Sequence, residues 1–189
     1  MTETEASILL EFNEVKKSNG FPFTYTTQLK YTLSKNAINL NVTIKNTDSK
    51  PFPFTLGWHP YFTSKNLHES SLKFKSTNKL ILDKRMITAK IDNYKINDSL
   101  QIKDQQLDDC YILDNNIVSF ITPEYNLEIN TSAKESFLQI YTPPRANTIA
   151  IEPTTGVSNS FNNKIGLQIL EPSESYSINW EIKIKINTN

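Results

Sequence analysis

The stretch Thr55-Leu-Gly-Trp-His-Pro-Tyr-Phe-Thr63 packs one of the chain's two histidines between Trp58 and the aromatic pair Tyr61 and Phe62. An imidazole can carry a proton near neutral pH, and aromatic walls suit one that works beside a sugar. Gly57 lets the backbone turn or come close to a ligand. Pro60 fixes its own φ and holds His59 extended, so the direction of the imidazole is partly set by its neighbours. A histidine among aromatics also serves as a satisfied core or rim residue, and this stretch alone does not separate the two readings.

Three further segments hold groups that could share such chemistry. In Leu107-Asp-Asp-Cys-Tyr-Ile-Leu113, Asp108 and Asp109 end a polar loop and open an apolar run. An ionised carboxylate accepts two or more hydrogen bonds, so this pair could grip sugar hydroxyls or simply solvate a turn. In Phe137-Leu-Gln-Ile-Tyr-Thr-Pro-Pro144, Gln139 and Tyr141 share a face opposite Leu138 and Ile140, and either face could be the buried one. In Ile149-Ala-Ile-Glu-Pro-Thr-Thr-Gly156, Glu152 interrupts an apolar strand just before a proline. A carboxylate flanked by Ile151 and Pro153 loses hydration, which raises its pKa toward the range where it can take a proton from a hydroxyl. An edge-strand glutamate with its head in water is the competing reading.

The elements that must position these groups follow a period of two. Ile38, Leu40, Val42 and Ile44 alternate with polar residues, as do Phe21, Phe23, Tyr25, Leu29, Tyr31 and Leu33 before them, so the two runs predict an antiparallel hairpin. Tyr176, Ile178, Trp180, Ile182, Ile184 and Ile186 predict a long last strand. Short apolar pieces recur at 8–12, 72–74, 80–82, 117–121, 127–129, 137–141 and 149–151, separated by polar connections. The stretch 73–98 mixes charge with apolar residues too evenly to place strand ends. No segment of comparable length carries a helical period, and four glycines are too few for a nucleotide-binding loop architecture. The fold class predicted is all-β, an antiparallel β-sandwich, with residues 1–189 as one domain.

Composition narrows the partners. Twenty basic residues against twenty acidic ones give no net charge, hence no electrostatic case for nucleic acid or an anionic membrane surface. The single cysteine, Cys110, rules out an internal disulfide and suits a reducing compartment. The N-terminus is polar and acidic, unlike a signal peptide, and no run reaches the length of a membrane span. These features predict a soluble, cytoplasmic protein.

Taken together and in order, Gly57-Trp-His-Pro-Tyr-Phe62, Asp108-Asp-Cys-Tyr111, Gln139-Ile-Tyr-Thr142, Ile151-Glu-Pro-Thr154 and Ser160-Phe-Asn-Asn163 resemble the aldose 1-epimerase (galactose mutarotase) family. Each motif alone is weak, whereas five in the right order are specific. The resemblance implies a large antiparallel β-sandwich, with His59 as general acid, Glu152 as general base, Asp108 binding sugar hydroxyls and Gln139 lining the same cleft. It covers most of this chain but only the C-terminal part of a typical member. The arginine and second histidine that contact the sugar in that family have no counterpart here: His68 follows the HPYF motif, Arg85 and Arg145 match no such motif, and Asn159 stands where relatives often carry Asp.

The chemistry so implied removes the proton from an anomeric hydroxyl while protonating the ring oxygen, and it requires no metal, nucleotide or redox cofactor. Two histidines and one cysteine do not make a zinc set. Two arginines far apart in sequence favour a neutral hexose over a sugar phosphate. One rival is a non-catalytic carbohydrate-binding module using Trp58, Tyr61, Asp108 and Gln139 as its platform. Another is half of a split sandwich that needs a partner. The shortened N-terminal side leads us to expect a bare sheet surface covered by a homo-oligomer or a separate polypeptide, with weak mutarotase activity in the free monomer.

Overall fold

Strand after strand presents alternate residues to an interior and to solvent, as a sheet pleat requires. The computed structural model describes residues 5–96 and 99–187. In chain order the strands are β1 (Glu5–Glu14), β2 (Tyr25–Ser34), β3 (Ala37–Asn46), β4 (Phe52–Phe54), β5 (Tyr61–Thr63), β6 (Ser71–Lys73), β7 (Ser76–Leu82) and β8 (Thr88–Ile96). Then come β9 (Leu100–Gln101), β10 (Asp108–Ile112), β11 (Ile117–Ile121), β12 (Tyr125–Thr131), β13 (Phe137–Tyr141), β14 (Thr148–Thr154), β15 (Gln168–Leu170) and β16 (Ser175–Ile186). Among the described residues one short helix, α1 (Ser160–Asn163), follows β14, and one 3-10 turn spans Leu67–Glu69.

An eight-stranded sheet runs β1-β2-β3-β16-β12-β11-β6-β9, a six-stranded one β5-β14-β13-β10-β7-β8, and β15 pairs with β4 alone. All pairings are antiparallel, so the architecture is the β-sandwich expected from the period-two pattern. Leu72, Val118, Phe120, Leu127, Ile129 and Ile182 of the first sheet form one buried cluster with Tyr111, Leu138, Ile140, Ile149 and Ile151 of the second. This shared core holds the sheets face to face. A second cluster, built on Leu40, Val42, Ile178, Trp180, Phe52 and Phe54, extends it toward β2. Among the described residues no helix is long and apolar enough to cross a membrane.

The hairpin of β2 and β3 forms in the predicted place, but its first strand starts at Tyr25. Phe21 and Phe23 precede the strand. Their rings pack on Phe52 at 5.3 and 5.6 Å between centroids, in an edge-on and tilted aromatic cluster that half-buries them. The last strand also extends beyond its cover, leaving Ile184 and Ile186 exposed. In the stretch 73–98, β7 and β8 pair with register shifts between Ser76 and Asn78 and between Ile81 and Leu82, irregularities that leave no clean alternation to read.

Asp48 fastens the turn after β3. Its Oδ2 accepts the Thr24 amide at 3.1 Å and meets Lys17 Nζ at 2.7 Å, while Oδ1 accepts the Lys50 amide at 3.2 Å. The Lys17 hydrogen bond and the two amides hold this carboxyl down at about 2. With the folded value below the ordinary ~3.9, its stabilisation is present above about pH 4 and is lost as pH falls toward 2. Asp48→Ala is therefore expected to melt lower than wild type at pH 7 and to close that gap near pH 2. Thermal melts at the two pH values check this, and a gap of equal size at both would contradict it.

Candidate active site

Gly57 forms an isolated bridge to Thr154, and Tyr61 of β5 pairs with Ala150 of β14. The same register continues between these points. Trp58 N donates to Pro153 O at 3.1 Å and Ile151 N to Pro60 O at 3.3 Å, so both prolines serve through the carbonyl that proline retains. Continuing that register sets His59 directly opposite Glu152. As cross-strand neighbours the two side chains rise from one face, and His59 Nε2 lies 3.2 Å from Glu152 Oε1. Gly57 allows a close approach at the start of this ladder: a Cβ there would sit a tight 3.0 Å from Thr154 Cγ2.

Glu152 is not on an edge, since β14 lies between β5 and β13. Its side chain is 12% exposed, against 53% for His59. Burial pushes the Glu152 carboxyl above the ordinary glutamate range. The charge of His59 opposes that rise, and Asp108 adds to it. A carboxylate so placed can hold a proton that it has taken from a hydroxyl.

The same register lays out the rest of the face. Glu152 aligns with Gln139, Cys110 and Leu80, and the neighbouring row runs Tyr61, Ala150, Tyr141, Asp108. Gln139 Nε2 donates to Asp108 Oδ1 at 2.8 Å, which fixes the exposed carboxylate and leaves its second oxygen for a ligand hydroxyl. Tyr61 stacks on His59 with ring centroids 4.9 Å apart and planes inclined by 27°. The face is thus the one turned away from the shared core, and it collects His59, Glu152, Asp108, Gln139 and Tyr61.

Trp58 is placed differently. The alternation that brings out His59 turns Trp58 inward, where it packs half-buried against both large core clusters. Asp109 likewise faces the other side, 2.7 Å from Lys79 Nζ. His68 pairs with Asp104 at 3.0 Å and Arg85 with Asp83 at 2.8 Å.

One part of the site carried no periodic pattern in sequence, although the motif Ser160-Phe-Asn-Asn163 lies within it. The segment 157–165, with α1 in it, folds over the far end of the face, where Val157 packs on Phe137, Leu80 and Cys110. Ser160 Oγ accepts the Val157 amide at 2.9 Å and donates to Ile165 O at 2.8 Å, closing the segment on itself. Ser158 Oγ accepts the Thr88 amide at 2.9 Å and ties it to β8. Burial, then the charges of Glu152 and Asp109, push the Cys110 thiol up to about 12, which makes it an inert packing group. Grooves of about 330 and 380 Å³ lie elsewhere, the first beside Leu33, Phe62 and Ile184, the second among Phe21, Phe52, Phe54 and Phe161.

Comparison with known proteins places this arrangement. A family model described as Aldose 1-epimerase matches residues 2–183. The uncharacterized protein YihR of Escherichia coli K12 is 20% identical over 177 residues, covering 87% of this chain and 58% of that protein. A galactose mutarotase-like protein from Clostridium acetobutylicum superposes with a TM-score of 0.83 at 17% identity, over 99% of this chain and 64% of the other. Galactose 1-epimerase from Lactobacillus acidophilus superposes with a TM-score of 0.79 at 17% identity, over 100% and 65%. The chain therefore spans less than two thirds of the length of these relatives.

Proposed function

The chain belongs to the aldose 1-epimerase family, and on that premise we propose that it interconverts the anomers of a neutral hexose by acid-base opening and reclosure of the ring. The His59–Glu152 pair on the open face of the six-stranded sheet carries this reading. Glu152 takes the proton of the anomeric hydroxyl, the electron pair left on that oxygen forms the aldehyde carbonyl, and the bond from C1 to the ring oxygen breaks. His59 as imidazolium gives its proton to the departing ring oxygen. Rotation about C1–C2 presents the other face of the aldehyde. Reclosure then runs the two proton transfers backwards, which restores both side chains. Hydroxyl and ring oxygen are attached to one carbon, so acid and base must stand close together, as cross-strand neighbours do. Asp108 and Gln139, already bonded to each other, would receive the sugar's remaining hydroxyls, with Tyr61 stacked behind the imidazole.

Polarimetry on freshly dissolved α-galactose and α-glucose tests the proposal directly. Accelerated decay of optical rotation is the expected result. No acceleration, together with hexose-dependent thermal stabilisation, would replace it with a sugar-binding role. A pH profile adds a second check. The base must be ionised, so kcat/KM should fall on the acid side through the Glu152 pKa, and burial sets that limb above the ~4.3 of an ordinary glutamate. An acid limb at or below that value would argue that Glu152 is not the base.

A further inference from the structure

Residues two apart in an extended chain rise on the same face, and His59 and Tyr61 stand in that relation with Pro60 fixing the backbone between them. Their rings lie 4.9 Å apart with planes inclined by 27°, a stacked pair. Ala150, directly across from Tyr61 on β14, is fully buried and offers only a methyl group, so no taller side chain competes for the space beside the phenol. Among the described residues the His59 ring has one polar partner, Glu152 Oε1 at 3.2 Å from Nε2. Turnover must break that contact. Under the mutarotase reading, on which the proposal rests, Glu152 turns to the anomeric hydroxyl and Nε2 turns to the ring oxygen, so during proton transfer neither group holds the other. The stack survives this exchange, because it uses the face of the imidazole whereas both polar contacts use its edge.

We propose that Tyr61 is a positioning residue for the general acid: its ring keeps the His59 imidazole oriented while Nε2 leaves Glu152 for the oxygen of the sugar ring. The stack gives one face of the phenol to the imidazole, and that face is lost to a sugar. Holding the acid and serving as a platform for the sugar separate in kinetics. Tyr61→Leu should lower kcat by about three- to tenfold, the worth of an aromatic pair, and leave KM within about twofold of wild type. Tyr61→Phe keeps the ring and should restore wild-type kcat, which a hydroxyl bonded to the sugar would not allow. A platform requires the reverse, a raised KM at unchanged kcat. Because Tyr61 is 52% exposed, neither substitution should lower Tm measurably.

A second measurement needs no turnover. A stacked imidazole lies in the ring current of the phenol, so the carbon-bound ring protons of His59 should resonate upfield in proton NMR, lose that displacement in Tyr61→Leu and keep it in Tyr61→Phe. The chain has two histidines, and His68→Gln assigns the signals. Glu152→Ala removes the polar contact altogether, and compared on the alkaline plateau of a pH titration the displacement should persist there. Its collapse would show that Glu152 holds the ring and would overturn the proposal. An active enzyme with wild-type kcat in Tyr61→Leu, or a loss that Tyr61→Phe fails to restore, would overturn it as well while leaving the mutarotase reading intact. A wild type without activity would overturn that reading and this role together, which keeps the two failures apart.

Discussion

Glu152→Gln is expected to lower kcat/KM for mutarotation by about 10²- to 10⁴-fold, the usual worth of a positioned general base, without loss of fold. The amide nearly matches the carboxylate in shape and can still accept a hydrogen bond from His59, but it cannot accept the proton. The same variant carries a stability signature that separates a working base from a structural ion pair. With the Glu152 pKa raised in the folded state, the ionised form is the disfavoured one, so its cost is absent below the unfolded value of ~4.3 and appears as pH rises through the folded value. Glu152→Gln should therefore melt no lower than wild type at pH 8, and any advantage should disappear near pH 4. His59, 3.2 Å away, offsets part of the cost and keeps the difference small. Wild-type rates in Glu152→Gln would refute the assignment. A clear drop in melting temperature at pH 8 would mean that the pair acts as a stabilising salt bridge instead.

Sandwich architecture was legible because period-two alternation needs only side-chain type, and β3, β13 and β16 display it over most of their length. The face each site residue takes was not, since alternation gives two faces without naming the wet one. Gln139 and Tyr141 stood opposite Leu138 and Ile140 with nothing local to choose between them. Structure decides it through Leu138 and Ile140, both fully buried in the core shared by the two sheets. Trp58 is the instructive case: beside a histidine in sequence it reads as a binding platform, yet one step along an extended strand reverses the face, and the ring goes into the core. The opposition of His59 and Glu152 depends on a register set at Gly57–Thr154 and Tyr61–Ala150, contacts between segments more than eighty residues apart. The fold of segment 157–165 was hidden for another reason, although its Ser160-Phe-Asn-Asn163 motif was read. Its order comes from the Ser160 hydroxyl and from packing on Phe137, and neither leaves a periodic trace.

That dependence leads to the second large effect, at Phe137. Its ring is 2% exposed on the site's own face, two residues before Gln139 and across from Thr154, under a lid of Val157 and Ile165. The lid fits closely. Gly166 has φ of 68°, a left-handed conformation that glycine adopts freely, and a Cβ there would lie 2.7 Å from Phe137 Cε2. Phe137→Ala removes the surface on which the segment rests and leaves a cavity that β13, pinned between β10 and β14, cannot collapse to fill. A loss of about 3–5 kcal/mol is expected, corresponding to a fall of about 10 °C in Tm for a domain of this size. Activity should suffer through KM more than through kcat, because His59 and Glu152 are held by the β5–β14 register while the wall beside Gln139 loosens. Phe137→Leu, which keeps most of the volume, should recover most of both properties. Denaturant unfolding and steady-state polarimetry on the two variants check this. A Phe137→Ala protein within about 1 kcal/mol of wild type would show that the segment is held by its hydrogen bonds to Ser158 and Ser160 rather than by the ring beneath it.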